Sequence, residues 1–244
     1  MRTLAARGVF LLALSLALCS PGGASAPEHR PTTVMPVPQE ASWWHQRHER
    51  ILERIRHQPV ELVFLGDSII QGWEDEGRRV WDRYYTDGRA LNLGFDSDRV
   101  EHLLWRLEQG ELEGLAPKVA IVLIGTNNAG QRRDRPEDTA EGIRTLVSTL
   151  RTKLPKTKVL LLAIFPRGAT PQDPFRTLND AVTEQIARLA DHRQVFFLDL
   201  RSLYLDPEGR VRRDLMPDLL HPNEEGYRRW AVGMEGTLKQ LLKE

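Results

Sequence analysis

The sequence contains almost no cysteine, since Cys19 is the only one among 244 residues. It lies within residues 1–26, which have the features of a cleavable export signal: two arginines, an apolar run over residues 9–18 and Ala-Ser-Ala at residues 24–26. We therefore expect the exported protein to have neither a disulfide bond nor a thiol nucleophile, which excludes cysteine-based catalysis.

The same features predict a secreted or periplasmic protein. Lipoprotein anchoring at Cys19 is a less favoured alternative, because the bulky Leu18 stands where such signals usually have a small residue. The apolar run is too short for a permanent membrane span. Residues 27–39 are rich in proline and predict a flexible tether, and residues 40–244 predict one domain.

An excess of charge of either sign is also missing, because Lys and Arg total 34 and Asp and Glu total 34. Proteins that bind nucleic acid or an anionic membrane usually present a basic surface, so neither partner is expected here. Hydrophobic residues make up 41% and charged residues 28%, which is typical of a globular protein rather than a disordered one.

Apolar runs alternate with helical patterns along the predicted domain. The runs lack the in-out alternation of a half-exposed sheet, which favours buried parallel strands. Strands are predicted at residues 60–65, 90–93, 119–124, 159–164 and 195–198. Helices are predicted at residues 40–57, 98–107, 136–154, 174–190 and 222–242. This order predicts a doubly wound α/β fold with helices on both faces of the sheet.

Three polar stretches follow predicted strands or precede the last helix. Ser68, in Gly-Asp-Ser, follows the first strand, and Asn127 follows the third. Asp218 precedes His221 by three residues, close enough on one turn for the carboxylate to bind the imidazole Nδ1–H. In open α/β sheets reactive groups collect at the carboxyl ends of the strands, so we expect these side chains to meet there.

Each stretch also has an ordinary structural interpretation. Gly-Asp-Ser suits a helix-capped turn, an asparagine often hydrogen-bonds its own loop, and Asp-x-x-His can begin a helix. The order of the three stretches along one sheet edge favours a nucleophile, a hydrogen-bond donor and a base over these interpretations.

The remaining histidines are expected at exposed positions. They are His29, His45, His48, His57, His102 and His192. His45 and His48 are spaced so that they could share a metal ion, but no carboxylate or cysteine cluster completes a site. The sequence therefore predicts no metal.

Taken together, these stretches resemble the SGNH/GDSL hydrolase family. The residues similar to its sequence blocks are Gly66-Asp67-Ser68, Gly125-Thr126-Asn127 and Asp218-Leu219-Leu220-His221. Within the family, residues 63–68, 104–107, 110–112, 124–128 and 166–168 are similar to the catalytic subunits of platelet-activating factor acetylhydrolases. The resemblance implies a flavodoxin-like three-layer α/β/α sandwich with a five-stranded parallel sheet.

The resemblance also implies roles for individual residues. Ser68 would be the nucleophile, and Asp218 and His221 would complete a catalytic triad. Ser68, Ser97 and Asn127 would form the oxyanion hole. Ser97 stands where relatives carry a glycine, and it can supply the same backbone N–H provided that its φ is not required to be positive.

The leading hypothesis is a serine esterase that hydrolyses a small acyl ester, acetyl being favoured, of a carbohydrate or a lipid. Asp67, Ile69 and Leu220 are predicted to contact the substrate, and no metal or organic cofactor is required. The oligomeric state is left open, with a homodimer as one option. The alternative is a non-catalytic carbohydrate- or protein-binding module on a decayed site. A nucleotide-binding protein is disfavoured because Asp67 would repel phosphate.

Overall fold

The computed structural model describes residues 30–57, 59–85 and 89–243. A five-stranded parallel sheet in the order β2-β1-β3-β4-β5 forms the centre. The strands are β1 (Leu62–Gly66), β2 (Ala90–Gly94), β3 (Val119–Leu123), β4 (Lys158–Leu162) and β5 (Val195–Leu198). The predicted parallel α/β fold is confirmed, and this strand order is that of flavodoxin-like proteins.

The strand bounds differ from the predicted ones by at most two residues, whereas two of the helices were not predicted. The α-helices of the described residues are α1 (Ser42–His57), α2 (Ser68–Gln71), α3 (Arg78–Tyr84), α4 (Val100–Glu108), α5 (Pro136–Lys153), α6 (Pro174–Ile186) and α7 (Glu224–Lys243). The sequence prediction misses α2 and α3. They have 4 and 7 residues, which is too short for an apolar helical repeat to be visible.

Alternate residues of each central strand enter different cores. Val63 and Leu65 of β1 pack with residues of α1, α4, α5 and α6 on one face. Leu62 and Phe64 pack with residues of α2, α3 and α7 on the other. Because both faces are covered, β1, β2 and β3 are buried along their whole length, which explains their continuous apolar runs.

Residues 31–39, which belong to the predicted tether, pack against the rest of the domain. Thr33 is fully buried and its hydroxyl donates to the carbonyl of Asp138. Gln39 donates from Nε2 to Asp98 Oδ1 at 2.7 Å. The flexibility predicted for this segment is therefore not found in residues 31–39, because polar side chains there bind the domain surface. The predicted boundaries at residues 26 and 39 stay predictions, and the leader lies outside the described residues.

Two histidines expected at the surface are buried. His48 and His102 are 6% and 4% exposed. Both lie on helix faces that also carry charged residues, so the sequence pattern suggested solvent, but the rings are covered by the domain and hydrogen-bonded to its polar groups. His48 Nδ1 lies 3.0 Å from Glu111 Oε1, and His102 Nδ1 lies 3.2 Å from the backbone nitrogen of Arg99.

The strand order defines where a ligand can enter. Chain connections leave β1 and β3 toward opposite sides, which opens a crevice at their carboxyl ends. Ser68 follows β1 and Asn127 follows β3, so both lie at this crevice. Within the described ranges, no helix is both long and apolar enough to cross a bilayer.

Candidate active site

A tight strand-to-helix turn presents Ser68. Asp67 is the N-cap of α2, and its Oδ1 accepts a hydrogen bond from the Ile69 backbone at 3.0 Å. The other end of α2 is held by Tyr227 of α7, whose hydroxyl donates to the Ile69 carbonyl at 2.8 Å. A Cβ at Gly72 would lie 2.2 Å from that hydroxyl, so only glycine allows the close approach of α7.

Ser68 meets His221 and Asp218 at this edge. Ser68 Oγ lies 2.9 Å from His221 Nε2, and His221 Nδ1 lies 2.6 Å from Asp218 Oδ2. The acceptor carboxylate favours the tautomer with hydrogen on Nδ1, which leaves Nε2 to accept the serine proton. The structure thus brings together the three residues predicted as a triad, in the order that nucleophile activation needs.

The loop before α7 shapes this contact. Asp218 Oδ1 accepts hydrogen bonds from the backbone of Leu220 at 3.0 Å and of His221 at 2.8 Å. Leu219 has φ 66°, and its carbonyl accepts from the backbone of Gly168 at 3.0 Å. The Asp218 side chain therefore organises its own turn while its second oxygen orients the imidazole.

The same contacts set the ionisation of Asp218. Partial burial alone would raise the pKa of this carboxyl, but hydrogen bonds from the His221 backbone, the His221 ring and the Leu220 backbone outweigh it. The pKa of Asp218 is therefore held below its ordinary value. An ionised Asp218 at neutral pH can stabilise a positively charged His221.

Asn127 and Ser97 lie on adjoining loops. Gly125 has φ +121°, which lets the chain turn after β3 as the sequence predicts. Asn127 Nδ2 donates to the carbonyl of Asp98, the residue after Ser97, at 3.0 Å. An amide nitrogen carries two hydrogens, so this contact leaves one for an oxyanion.

Ser97 does not meet the condition set for it from the sequence. Its φ is 60°, in the left-handed region where a glycine is unstrained and a side chain is not. The region is small but allowed for residues other than glycine, so the backbone N–H keeps the direction that the turn dictates. The substitution of glycine by serine thus strains the loop without removing its donor.

The predicted substrate contacts lie mostly inside the protein. Asp67 and Ile69 are each 1% exposed, and the Asp67 carboxylate caps α2. Leu220 is half-buried between Leu219 and His221. A surface groove beside Ser68 is instead lined by Ser68, Gln71, Gly72, Asp75, Glu76, Asp96, His221, Pro222 and Tyr227. Three of these residues are acidic and none is Lys or Arg.

Burial changes the ionisation of Asp67. Desolvation raises the pKa of its carboxyl to about 7, against a hydrogen bond from Ile69 and with a further increase from the charges of Asp98 and Asp96. Among the residues that the structure describes, no group of three or more His, Cys, Asp or Glu is arranged to hold a metal ion.

Comparison with known proteins decides the family. Residues 64–229 match the GDSL-like lipase/acylhydrolase family. The chain belongs to this family. Its membership supports an ester-hydrolysing, acylhydrolase activity and agrees with the resemblance of the sequence blocks.

Individual members of the family are similar over most of their length. The chain is 33% identical over 223 residues to the human platelet-activating factor acetylhydrolase IB subunit alpha1, covering 91% of this chain and 94% of the relative. A GDSL-like lipase from Bacteroides thetaiotaomicron superposes with a TM-score of 0.66 at 17% identity, covering 79% of this chain and 97% of that one. An acetylxylan esterase from Geobacillus stearothermophilus superposes with a TM-score of 0.58 at 20% identity, covering 75% and 94%.

Three site residues of this GDSL-family chain escaped the sequence prediction. Gln71 Oε1 accepts from the Asp96 backbone at 2.7 Å, and Asp98 holds Asn127. Arg167 Nη1 donates to the Thr126 carbonyl at 2.9 Å. The position of Arg167 in the loop that follows β4 was a signal that could have identified it. Gln71 and Asp98 act through contacts with distant loops, which local sequence does not show.

We expect Ser97→Gly to raise the free energy of unfolding by about 0.5–1 kcal/mol, because the relief of left-handed strain exceeds the extra backbone entropy that glycine loses. Urea denaturation measures the change. Asp96→Gly is the control, since the neighbouring Asp96 has no positive φ to relieve and should lose stability. Equal losses in the two variants would contradict the strain at Ser97.

Asp67→Asn should become more stable than the wild type as the pH rises. The Asp67 pKa is raised from 3.8 to about 7 in the folded protein. Between those values the unfolded chain releases its proton while the folded protein keeps it, so wild-type stability falls by at most about 1.4 kcal/mol per pH unit. Above pH 7 the difference becomes constant. Urea denaturation from pH 4 to 9 tests this, and a difference independent of pH would refute it.

Proposed function

We propose that this chain is a serine carboxylic-ester hydrolase that removes small acyl groups, chiefly acetyl, through an acyl-enzyme intermediate. Ser68 is the nucleophile, His221 the base and acid, and Asp218 the residue that orients the imidazole. The observation that carries the proposal is the 2.9 Å contact between Ser68 Oγ and His221 Nε2. Adjacent nucleophile and base, with the base held by a third group, are the requirement for activating a hydroxyl.

The reaction proceeds in two halves. Ser68 Oγ attacks the ester carbonyl carbon while its proton passes to His221 Nε2, and the tetrahedral intermediate collapses as His221 returns that proton to the departing alcohol. Water then attacks the acyl-serine with His221 again as base. The products are the carboxylic acid and the regenerated Ser68 hydroxyl.

The intermediate oxyanion is stabilised by donors on three loops: the backbone N–H groups of Ser68 and Ser97 and the Asn127 side chain. Ser68 begins α2, and the first amides of a helix have no acceptor within it. Donors fixed in advance at the site of developing charge contribute more than any other single effect in acyl transfer.

Two features support the choice of substrate. The human relative at 33% identity is named as an acetylhydrolase, which supports an acetyl or similarly small acyl group. The groove beside Ser68 carries Asp75, Glu76 and Asp96, whose carboxylates accept hydrogen bonds from hydroxyl groups and repel anions. A neutral polyhydroxy alcohol, such as a sugar, fits this groove better than a phosphorylated one.

A binding module on a decayed site is less well supported. Decay would be expected to relax the contacts that only catalysis requires, whereas Ser68, His221 and Asp218 keep hydrogen-bond distances of 2.9 and 2.6 Å. Ser97 retains a backbone donor. Export through the predicted leader and a homodimer stay predictions.

Ser68→Ala should lower kcat on p-nitrophenyl acetate by about 10³-fold or more, because no other nucleophile occupies its position. Ser148→Ala is the control, since Ser148 is an exposed serine on α5. Steady-state assay of the purified exported form measures both. Equal turnover by Ser68→Ala and the wild type would reject Ser68 as the nucleophile.

Neutralising the groove in Asp75→Asn/Glu76→Gln should reduce the preference for neutral phenyl acetate over anionic 4-acetoxybenzoate. Each of the two carboxylates, at about 8 Å from the anionic substrate group, opposes binding by about 0.5 kcal/mol. Removing both should therefore raise kcat/KM for 4-acetoxybenzoate about fivefold at low salt. Glu108→Gln/Glu113→Gln removes two exposed charges outside the groove and serves as control. The proposal for the groove fails when both double variants respond alike.

A further inference from the structure

A buried ionic cluster lies behind the two loops that carry the proposed oxyanion donors. Its centre is Arg106 of α4, which is fully buried together with Asp98 and Glu111. Arg106 Nε lies 2.9 Å from Asp98 Oδ2, and Arg106 Nη1 donates to Glu111 Oε2. Removing charges from water costs free energy that their attraction often fails to recover, so a buried ion pair is poor evidence for stability alone.

Arg106 contacts both the turn before Ser68 and the loop that carries Ser97. Its Nη2 donates to the carbonyl of Gly66, two residues before Ser68, at 3.3 Å. Its guanidinium lies 3.8 Å from the centre of the Phe95 ring, and Phe95 donates its backbone N–H to the same Gly66 carbonyl at 3.1 Å. One cation therefore links the nucleophile turn to the loop that carries Ser97.

Asp98 connects Arg106 to the two proposed oxyanion donors, the Asn127 side chain and the Ser97 amide. Its carboxylate oxygen Oδ1 accepts from Trp44 Nε1 and from Gln39 Nε2, each at 2.7 Å. Its backbone carbonyl accepts from Asn127 Nδ2 at 3.0 Å, and its backbone nitrogen belongs to the peptide that follows Ser97. A shift of Asp98 would thus move both the Asn127 amide and the Ser97 loop.

The strained backbone of Ser97 needs such support. A residue with a side chain persists at positive φ only where its surroundings determine the conformation. The Ser97 loop is held from both sides, since Gln39 donates to the Asp96 carbonyl at 3.1 Å and Gln131 donates to the Ser97 carbonyl at 3.2 Å. The residue after Ser97, Asp98, is itself held by the hydrogen bonds of its carboxylate to Gln39, Trp44 and Arg106.

We propose that Asp98 and Arg106 are positioning residues that hold the Ser97 amide and the Asn127 side chain in oxyanion-binding geometry. The inference rests on the proposed esterase function. Neither residue contacts the substrate, and both act through the loops. An error of about 1 Å in the position of a catalytic group can reduce a rate about 10²-fold. The positions of the Ser97 amide and the Asn127 side chain therefore have a large effect on the rate.

The chain offers a matched pair of substitutions. In Asp98→Asn one acceptor oxygen must replace two, so either Arg106 or the Trp44 and Gln39 donors lose a partner. In Glu111→Gln the new amide oxygen still accepts from Arg106, and the amide nitrogen remains beside His48 Nδ1. Both variants remove one buried negative charge beside Arg106, but only Asp98 contacts the loops that carry Ser97 and Asn127.

The test compares both variants with the wild type on p-nitrophenyl acetate, with kcat expressed per active site titrated by the acyl-enzyme burst. We expect Asp98→Asn to lower kcat about 10- to 100-fold with KM within about threefold, and Glu111→Gln to lower kcat by less than about threefold. The affinity for a trifluoromethyl ketone, which forms a tetrahedral adduct, should fall in parallel with kcat. A purely structural role would reduce the fraction of titratable sites and leave kcat per site unchanged.

The proposal is overturned if Asp98→Asn keeps the wild-type kcat per titrated site, or if Glu111→Gln loses as much. If Asp98→Asn does not fold, the half-buried Gln39→Leu replaces it, with an expected loss in kcat of about 3- to 10-fold at unchanged KM. Full activity of Gln39→Leu would then overturn the proposal. A wild type without esterase activity would instead refute the proposed function, and the inference with it.

Discussion

The contact between Ser68 and His221 joins residues 153 positions apart in the chain, and the site depends on it. It forms because β1 delivers Ser68 to the carboxyl edge of the sheet while α7, which follows His221, packs on the same face as α2. Tyr227 of α7 donates to the Ile69 carbonyl, so the helix that follows His221 is fixed to the helix that begins with Ser68. The fold itself therefore sets the distance between Ser68 and His221.

Several residues of the site are placed at an energetic disadvantage. Asp67 is buried with its pKa raised to about 7, and Ser97 holds a left-handed backbone conformation. Arg106, Asp98 and Glu111 bring three ionisable groups into the interior. Such costs are tolerated where they fix groups that must be ordered before reaction. Here Asp67, Ser97, Asp98 and Arg106 border the loops around Ser68, and Glu111 contacts Arg106 behind them.

Much of the fold followed from the sequence, because buried parallel strands leave continuous apolar runs and the five longer helices leave a clear period. The meeting of Ser68, His221 and Asp218 at one sheet edge followed too, since strand ends and the Asp-x-x-His spacing are local features. The sign of φ at Ser97 did not, because it is imposed by loops distant in sequence. His48 and residues 31–39 were misjudged for the same reason: their partners, Glu111, Asp138 and Asp98, come from other elements. The contact between His102 and Arg99 is local, three residues apart at the start of α4, and the sequence prediction overlooked it.

The acidic groove adds a chemical preference to a general ester-hydrolysing framework. Under the proposed function, the triad would treat any accessible ester alike, whereas Asp75, Glu76 and Asp96 line the groove that would receive the departing alcohol. Reactivity and specificity would then come from different parts of the molecule: the turn around Ser68 and the loop before α7 for reactivity, and the surface beside α2 for selection.

Labelling with a fluorophosphonate tests the central claim most directly, because the reagent reacts only with a hydroxyl activated by a neighbouring base. Peptide mapping by mass spectrometry should find a single adduct on Ser68 in the purified protein, and His221→Ala should abolish it while the protein remains folded. An unlabelled wild type, or an adduct on Ser68 that forms equally fast in His221→Ala, would contradict the account.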